Sequence, residues 1–246
     1  MKMSKKIQRV TGIITLVVLV TTVLLAHYSS AQHWSTERCE RVEITIEYPD
    51  NQSLVSEREI REVTDVFFEE ELDSNALILN AFLLETAVKE LPYVKEAQVY
   101  WNMQGALRVE VVAKQVKALV SSQQRPSLLT HQNEVLPGLK GAVLNLPVIT
   151  GVTDSASAAA AGVLLERVLA SPAFSAENLA QLDVRKTELA LVPEGSNHVV
   201  LANKDQRLGE DLKKLAAYYG ATPEEELAQI KRIDLRYKNQ VVTTTR

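Results

Sequence analysis

Four histidines, one cysteine and two carboxylate triplets are the residues of this 246-residue chain whose types could support chemistry. A catalytic nucleophile needs a base beside it and an orienting group behind that base, and His most often supplies the base. His27 and His33 follow an apolar run at the expected membrane boundary, His131 lies in the polar turn His131-Gln132-Asn133-Glu134, and His198 opens a strand beside a loop. Each of the last two therefore reads as a solvated residue rather than a base. No HExxH, GxSxG or CxxC occurs, and the nine glycines are scattered through turns instead of gathered into a phosphate loop. Glu69-Glu70-Glu71 and Glu224-Glu225-Glu226 fall at helix ends, where acidic residues complement a capped N-terminus or are simply solvated. Cys39, alone, makes neither an internal disulfide nor a thiolate metal site. The expectation is a chain that is not an enzyme, holds no cofactor or metal, and works by binding.

Composition narrows what it binds. With 27 Lys plus Arg against 31 Asp plus Glu, the net charge is -4, without the clustered cations that phosphate neutralisation requires. Nucleic acid is excluded on that ground. Hydrophobic residues are 46% and charged residues 24%, with nine Gly and eight Pro, so the chain is neither disordered nor collagen-like and can build a core. Its length suits one large domain or two small ones.

The N-terminus is organised differently from the rest. Lys2, Lys5, Lys6 and Arg9 precede an apolar run, and the first acidic residue is Glu37. Between Val10 and Ala26 lie eleven Val, Ile or Leu residues, each favouring insertion by roughly 0.3 to 0.6 kcal/mol. Extended through Tyr28, the run reaches the ~20 residues that cross a bilayer as a helix. The reading is a cytoplasmic tail over 1–9, a transmembrane helix over 10–30, and export of everything after it, since four cations hold the short side inside. Tyr28 and Trp34 suit the far interface. The rival is a cleavable signal, for which Ser29-Ser30-Ala31 offers small residues at a peptidase site, but the apolar segment exceeds the ~7 to 15 residues of a signal core. Cys39 follows Thr36-Glu37-Arg38, unlike a lipid-modified cysteine, and reads as a juxtamembrane thiol. Beyond the tail, 23 positive face 31 negative charges, so the exported part is acidic and does not hug an anionic surface.

Two units follow. In the first, Val42, Ile44 and Ile46 alternate with polar residues as a strand does. Ser56-Glu57-Arg58-Glu59 has capping-box spacing before Ile60, Val63, Phe67 and Phe68. Asn80 can cap a second helix carrying Leu84, Val88 and Leu91 until Pro92 stops it. Ala97, Val99 and Trp101, a turn at Asn102-Met103-Gln104-Gly105, then Leu107, Val109 and Val111 make a hairpin. The order is β-α-α-β-β, an α+β unit over 40–113.

The second unit spans 114–246. Strands are expected at Val116 to Val120, Ser127 to Thr130, Val135-Leu136 and Pro147 to Gly151. Asp154 or Ser155 caps a helix through Ala170 with Ala161, Leu164, Leu165 and Val168 inward, and the alanines at 156 and 158–161 serve helix propensity. Leu189 to Val192 and His198 to Ala202 flank a five-residue loop as a hairpin. From Asp205 a helix presents Leu208, Leu212, Leu215, Ala216 and Tyr219 and stops at Gly220, and Thr222-Pro223 caps a short one. Ile233 to Tyr237 reads as a strand with Ile233, Leu235 and Tyr237 on one face; after a turn at Lys238-Asn239, residues Gln240 to Thr245 form a strand with no successor. At a sheet edge its unpaired backbone groups are a template for a partner strand, guarded only by Arg246. The same residues also allow an interior or covered strand.

Three segments carry a family resemblance. Leu84 to Val99, with Pro92-Tyr93-Val94-Lys95-Glu96-Ala97 at its centre and the hairpin after it, resembles a POTRA domain, an exported module that binds polypeptides. Leu146-Pro147-Val148-Ile149-Thr150-Gly151 and Ile233-Asp234-Leu235-Arg236-Tyr237-Lys238-Asn239-Gln240-Val241-Val242 resemble segments of the FtsQ/DivIB bacterial cell-division proteins. That resemblance implies a curved mixed sheet with helices on one side in the second unit, and a single-pass protein of the cytoplasmic (inner) membrane at the division septum with its C-terminal domains periplasmic. It further implies that the C-terminal strand region receives FtsB, paired with FtsL, in a scaffold linking early and late division proteins to septal wall synthases. Carried over by motif, the contact falls on Tyr237, Lys238, Asn239, Gln240, Val241 and Val242, with Arg185 or Lys186 as an earlier basic contributor. The alternative is a POTRA-bearing export or assembly factor unrelated to division.

Overall fold

The computed structural model describes residues 15–16, 18–26, 42–50, 52–71, 77–102, 106–122, 126–138 and 144–246. The expected cytoplasmic tail and Cys39 lie outside the described residues, as do the ends of the expected span, whose middle is helical over 15–16 and 18–26. Among the described residues no helix is long and apolar enough to cross a membrane. The chain divides into two compact units, Met1–Glu47 with Val55–Val112 and Tyr48–Leu54 with Ala113–Arg246.

The first unit runs β1 (Val42–Glu47), α1 (Glu57–Glu71), α2 (Leu77–Lys89), β2 (Val94–Trp101), β3 (Leu107–Ala113), in sheet order β1-β3-β2. Strict alternation in β3 buries Leu107, Val109, Val111 and Ala113, and β1 lies parallel to it with Ile44 opposite Val109. The capping box forms: Ser56 N–H donates to Glu59 at 2.7 Å, and Glu59 N–H to the Ser56 hydroxyl at 3.2 Å. Ile60 and Thr64 of α1 and Ala81, Leu84 and Val88 of α2 are buried. Asn80 is not a cap, because α2 begins at Leu77 and places Asn80 inside the helix; the good helix formers from Leu77 carry the first turn past the Asn signal. Residues 103–105 of the expected turn, and the side chains of Phe68 and Glu69-Glu70-Glu71, lie outside the described residues.

The second unit is one nine-stranded mixed sheet. Its strands are β4 (Val116–Val120), β5 (Ser127–Thr130), β6 (Val135–Pro137), β7 (Val148–Thr150), β8 (Leu179–Val184), β9 (Glu188–Pro193), β10 (Val199–Asn203), β11 (Ile230–Asp234) and β12 (Val242–Thr245), ordered β12-β11-β10-β9-β8-β7-β4-β5-β6. Three helices accompany it, α3 (Ser155–Leu169), α4 (Leu208–Ala221) and the single turn α5 (Glu224–Leu227). α3 packs on β5 and β6, α4 on β10, and the two helices touch each other. The core joins Leu165 and Val168 of α3 and Leu208, Leu212 and Leu215 of α4 to Ile149, Leu182, Leu191, Val200 and Ile233 of the sheet, each such burial stabilising by about 1.5–3 kcal/mol.

Several expectations need correction. β8 is absent from the sequence reading because Leu179 and Leu182 are three apart; a bulge between Leu179 and Gln181 puts both inward and breaks the two-residue period. The strand expected at Ile233 to Tyr237 is β11, three residues earlier, and a second bulge between Ile230 and Arg232 disrupts its alternation. Gly220 does not end α4, which continues to Ala221 with Thr222 as C-cap in extended conformation. Thr222 does not cap α5 either: its hydroxyl donates to the Tyr218 carbonyl at 2.8 Å, and Pro223 occupies the N-cap. Asp154 does cap α3, in a reciprocal box with Ser157.

Candidate protein-interaction edge

The last strand is an edge strand. β12 pairs antiparallel with β11 alone, in the register Val242 to Asp234, Thr243 to Ile233 and Thr244 to Arg232. All four of its residues are exposed, so neither face is covered although Ile233 opposite is fully buried. The other edge, β6, is three residues long and closes on Pro137, which has no N–H to give. The two edges of the sheet thus differ: one is blunted, the other presents uncharged β-branched residues along an open backbone.

The approach to β12 is set by a turn. Leu235 N–H still donates to the Leu201 carbonyl at 2.9 Å, after which the chain leaves the sheet. Gln240 N–H reaches back to the Tyr237 carbonyl at 3.4 Å and Asn239 sits at φ +56, a left-handed conformation that Asn tolerates better than most residues. Tyr237 is 53% exposed, Lys238, Asn239 and Gln240 are exposed, and Val241 is turned toward the core. Of the six residues expected at the contact, only Val242 belongs to the strand.

Arg185 and Lys186 arrive at the same end of the sheet. They occupy the β8–β9 turn, closed by Arg185 N–H donating to the Glu188 carbonyl at 3.0 Å. The Arg185 side chain pairs with Asp183 at 2.8 Å and Glu188 at 3.0 Å, which holds its guanidinium more firmly protonated. Glu188 also meets Arg236, which pairs with Asp234 at 2.6 Å. Hydrogen bonding from Arg236 keeps the Asp234 carboxyl below its usual range, although burial opposes this. An open recess of about 520 Å³ lies here, lined by Lys186, Glu188, Lys204 and Arg236 among others.

The pairing of Glu188 and Arg236 was not legible beforehand, nor was the support from α4. Asp211 is 3% exposed within the apolar stripe Leu208, Leu212 and Leu215, and Lys214 one turn on donates to the Leu235 and Tyr237 carbonyls at 2.6 and 2.9 Å. The available signal was an acidic residue on a buried helix face, which demands a partner. His198 also corrects an expectation. It is 6% exposed rather than solvated, its Nε2 lying 2.8 Å from the Tyr219 hydroxyl; burial lowers its pKa and raises that of Tyr219. His131 keeps an exposed ring, 3.7 Å from Asp50. Among the described residues no three His, Cys, Asp or Glu side chains gather as a metal site would.

The family model described as "FtsQ/DivIB, C-terminal related" matches residues 117–244. No curated protein matches significantly. Among solved structures the chain is similar to the major extracytoplasmic domain of the trans isomer of the bacterial cell division protein DivIB from Geobacillus stearothermophilus, with 17% identity, 45% of this chain and 88% of that chain covered, and a TM-score of 0.30. The matched segment runs from β4 through β12 and takes in the open edge, the turn before it and the helices behind it. With more than half of its residues matched, the chain belongs to the FtsQ/DivIB, C-terminal related family of cell-division proteins.

Proposed function

We propose that this cell-division protein is a membrane-anchored, non-catalytic scaffold that receives FtsB, paired with FtsL, by strand addition to β12. The carrying observation is the bare edge: four exposed residues, none of them charged, with no strand on their outer side among the described residues. Main-chain hydrogen bonds along such an edge supply affinity and the flanking side chains supply selectivity. Tyr237, Lys238, Asn239 and Gln240 stand at the entrance to the edge, and Lys186 lines the recess beside it, with Arg185 in the same turn. In this reading residues 1–9 are cytoplasmic, 10–30 span the inner membrane, 40–113 form a POTRA domain and 114–246 the FtsQ-type β domain, both periplasmic at the septum. The scaffold then couples FtsB and FtsL to septal wall synthases.

The test is co-purification from membranes of the intact chain beside a version ending at Asn239. Recovery of FtsB and FtsL with the intact chain only is the expected result. Recovery with both versions would remove the edge from the account while leaving the scaffold role, and recovery with neither would return the export-factor reading.

A further inference from the structure

We propose that Asp211 and Lys214 of α4 form a clamp that sets where β12 lies, which makes them positioning residues for whatever strand the edge receives; the partner half of this inference rests on the function proposed above. After Leu235 the chain has left the ladder, and the Leu235 and Tyr237 carbonyls turn toward the helix instead of a strand. Lys214 Nζ donates to both, at 2.6 and 2.9 Å. The ammonium is itself held by Asp211 at 3.0 Å, and the second Asp211 oxygen accepts from the backbone and side-chain amides of Asn203 at 3.0 and 2.8 Å. One buried carboxylate therefore joins the end of β10 to the cation that holds the exit of β11. A charge on a buried helix face is costly unless each oxygen is used, and here each is.

The clamp acts beside the packing of Val241 against the core, since the turn's own bonds are weak. Its closing hydrogen bond, Gln240 N–H to the Tyr237 carbonyl, is long at 3.4 Å, and β12 has a neighbour on one side only. At the far end Arg246 N–H donates to the Gln229 carbonyl at 3.2 Å and its guanidinium to the Asn197 carbonyl at 3.3 Å. The strand is thus pinned at both ends, paired with β11 between them and open along its outer edge. A template already in place spares an incoming strand the cost of ordering it.

The experiment uses the full chain in detergent with Lys214→Met, which keeps most of the aliphatic stem and loses the charge, and Lys214→Arg as the conservative rescue. Hydrogen exchange of residues 238–246 is read against that of β9, together with affinity for the purified FtsB–FtsL pair. The expected result for Lys214→Met is exchange in 238–246 and dissociation both faster by on the order of tenfold beyond any loss of protection in β9 caused by the unpaired Asp211, with Lys214→Arg restoring both. Unchanged exchange in 238–246 overturns the clamp, and so does faster exchange that extends equally into β9, which would mark a general loss of stability. If the natural chain does not bind FtsB–FtsL, the proposed function fails while the exchange readout still decides the clamp. If it binds and Lys214→Met exchanges faster yet binds equally well, the positioning role for the partner fails alone.

Discussion

Arg236 reaches back two residues to pair with Asp234 at 2.6 Å, and the same guanidinium crosses the end of β10 to meet Glu188 on β9. Asp234 is 4% exposed, the second buried carboxylate at this end of the sheet after Asp211. Removing Arg236 leaves that charge unpaired. Arg236→Ala should therefore destabilise the second unit by about 2–3 kcal/mol in chemical denaturation, and Arg236→Ala combined with Asp234→Asn should recover part of the loss. A simple sum of the two single effects would show that the pair is not coupled.

The same pair sets a pH dependence. The folded pKa of Asp234 lies below its unfolded value because Arg236 donates to the charged form. Its contribution is therefore present above the unfolded pKa, about 4, and is lost as pH falls through the folded one. Unfolding free energy should drop as pH is lowered from about 5 toward 3, and Asp234→Asn should flatten that slope relative to the natural chain.

His198 acts in a higher window. Burial lowers its folded pKa below the unfolded value of about 6.5, so the unfolded chain takes up the proton first and stability falls as pH falls through that range. His198→Gln, which retains an amide for the Tyr219 hydroxyl but cannot titrate, should remove the slope between about pH 7 and 5. Unfolding midpoints across that interval check it; an equal slope in both proteins would exclude His198 as its source.

Gly162 sits inside α3 where Ala would ordinarily be the better helix former. A methyl there would come within 2.0 Å of the Asn133 side-chain oxygen and 2.7 Å of the fully buried Leu129 side chain. Asn133 cannot swing freely, since its oxygen accepts from Lys117 at 2.7 Å. Gly162→Ala should thus destabilise by about 1–3 kcal/mol despite a propensity gain of about 1 kcal/mol. Asn133 has φ +63, so Asn133→Gly tolerates the backbone and should reduce the penalty in the double variant, as read from thermal unfolding.

The first unit guards its own edge. Val99 N–H on β2 is taken by the Glu85 carboxylate of α2 at 3.2 Å, and Lys89 holds Glu85 at 2.6 Å. Glu85→Ala should speed exchange of the Val99 amide while costing no more than about 1.5 kcal/mol. Unaltered exchange would show that the carboxylate does not shield this amide.

Periodicity made most elements legible and failed where geometry departs from it. β3 and the stripe of α4 announce themselves through Leu107, Val109 and Val111 and through Leu208, Leu212 and Leu215. β8 and the start of β11 do not, because bulges spend one residue without advancing the alternation. The open edge could be suspected from the β-branched, uncharged ending of the chain, yet edge and interior strands share that composition; the order β12-β11-β10 is a tertiary fact. The supports around it were hidden for a related reason. Lys214 meets carbonyls 21 and 23 residues away, and Arg236 meets Glu188 across 48, and nothing local in either stretch names the other.

The most direct measurement of the central claim is backbone hydrogen exchange of the intact chain with and without the FtsB–FtsL pair. Strand addition requires slowed exchange of the outward amides of Thr243 and Thr245 on binding, together with loss of that protection and of affinity in Thr243→Pro, which removes one outward amide while leaving the β11 pairings of Val242 and Thr244 in place. Binding that leaves 242–245 exchanging at the free rate, with protection appearing on another surface, would contradict it.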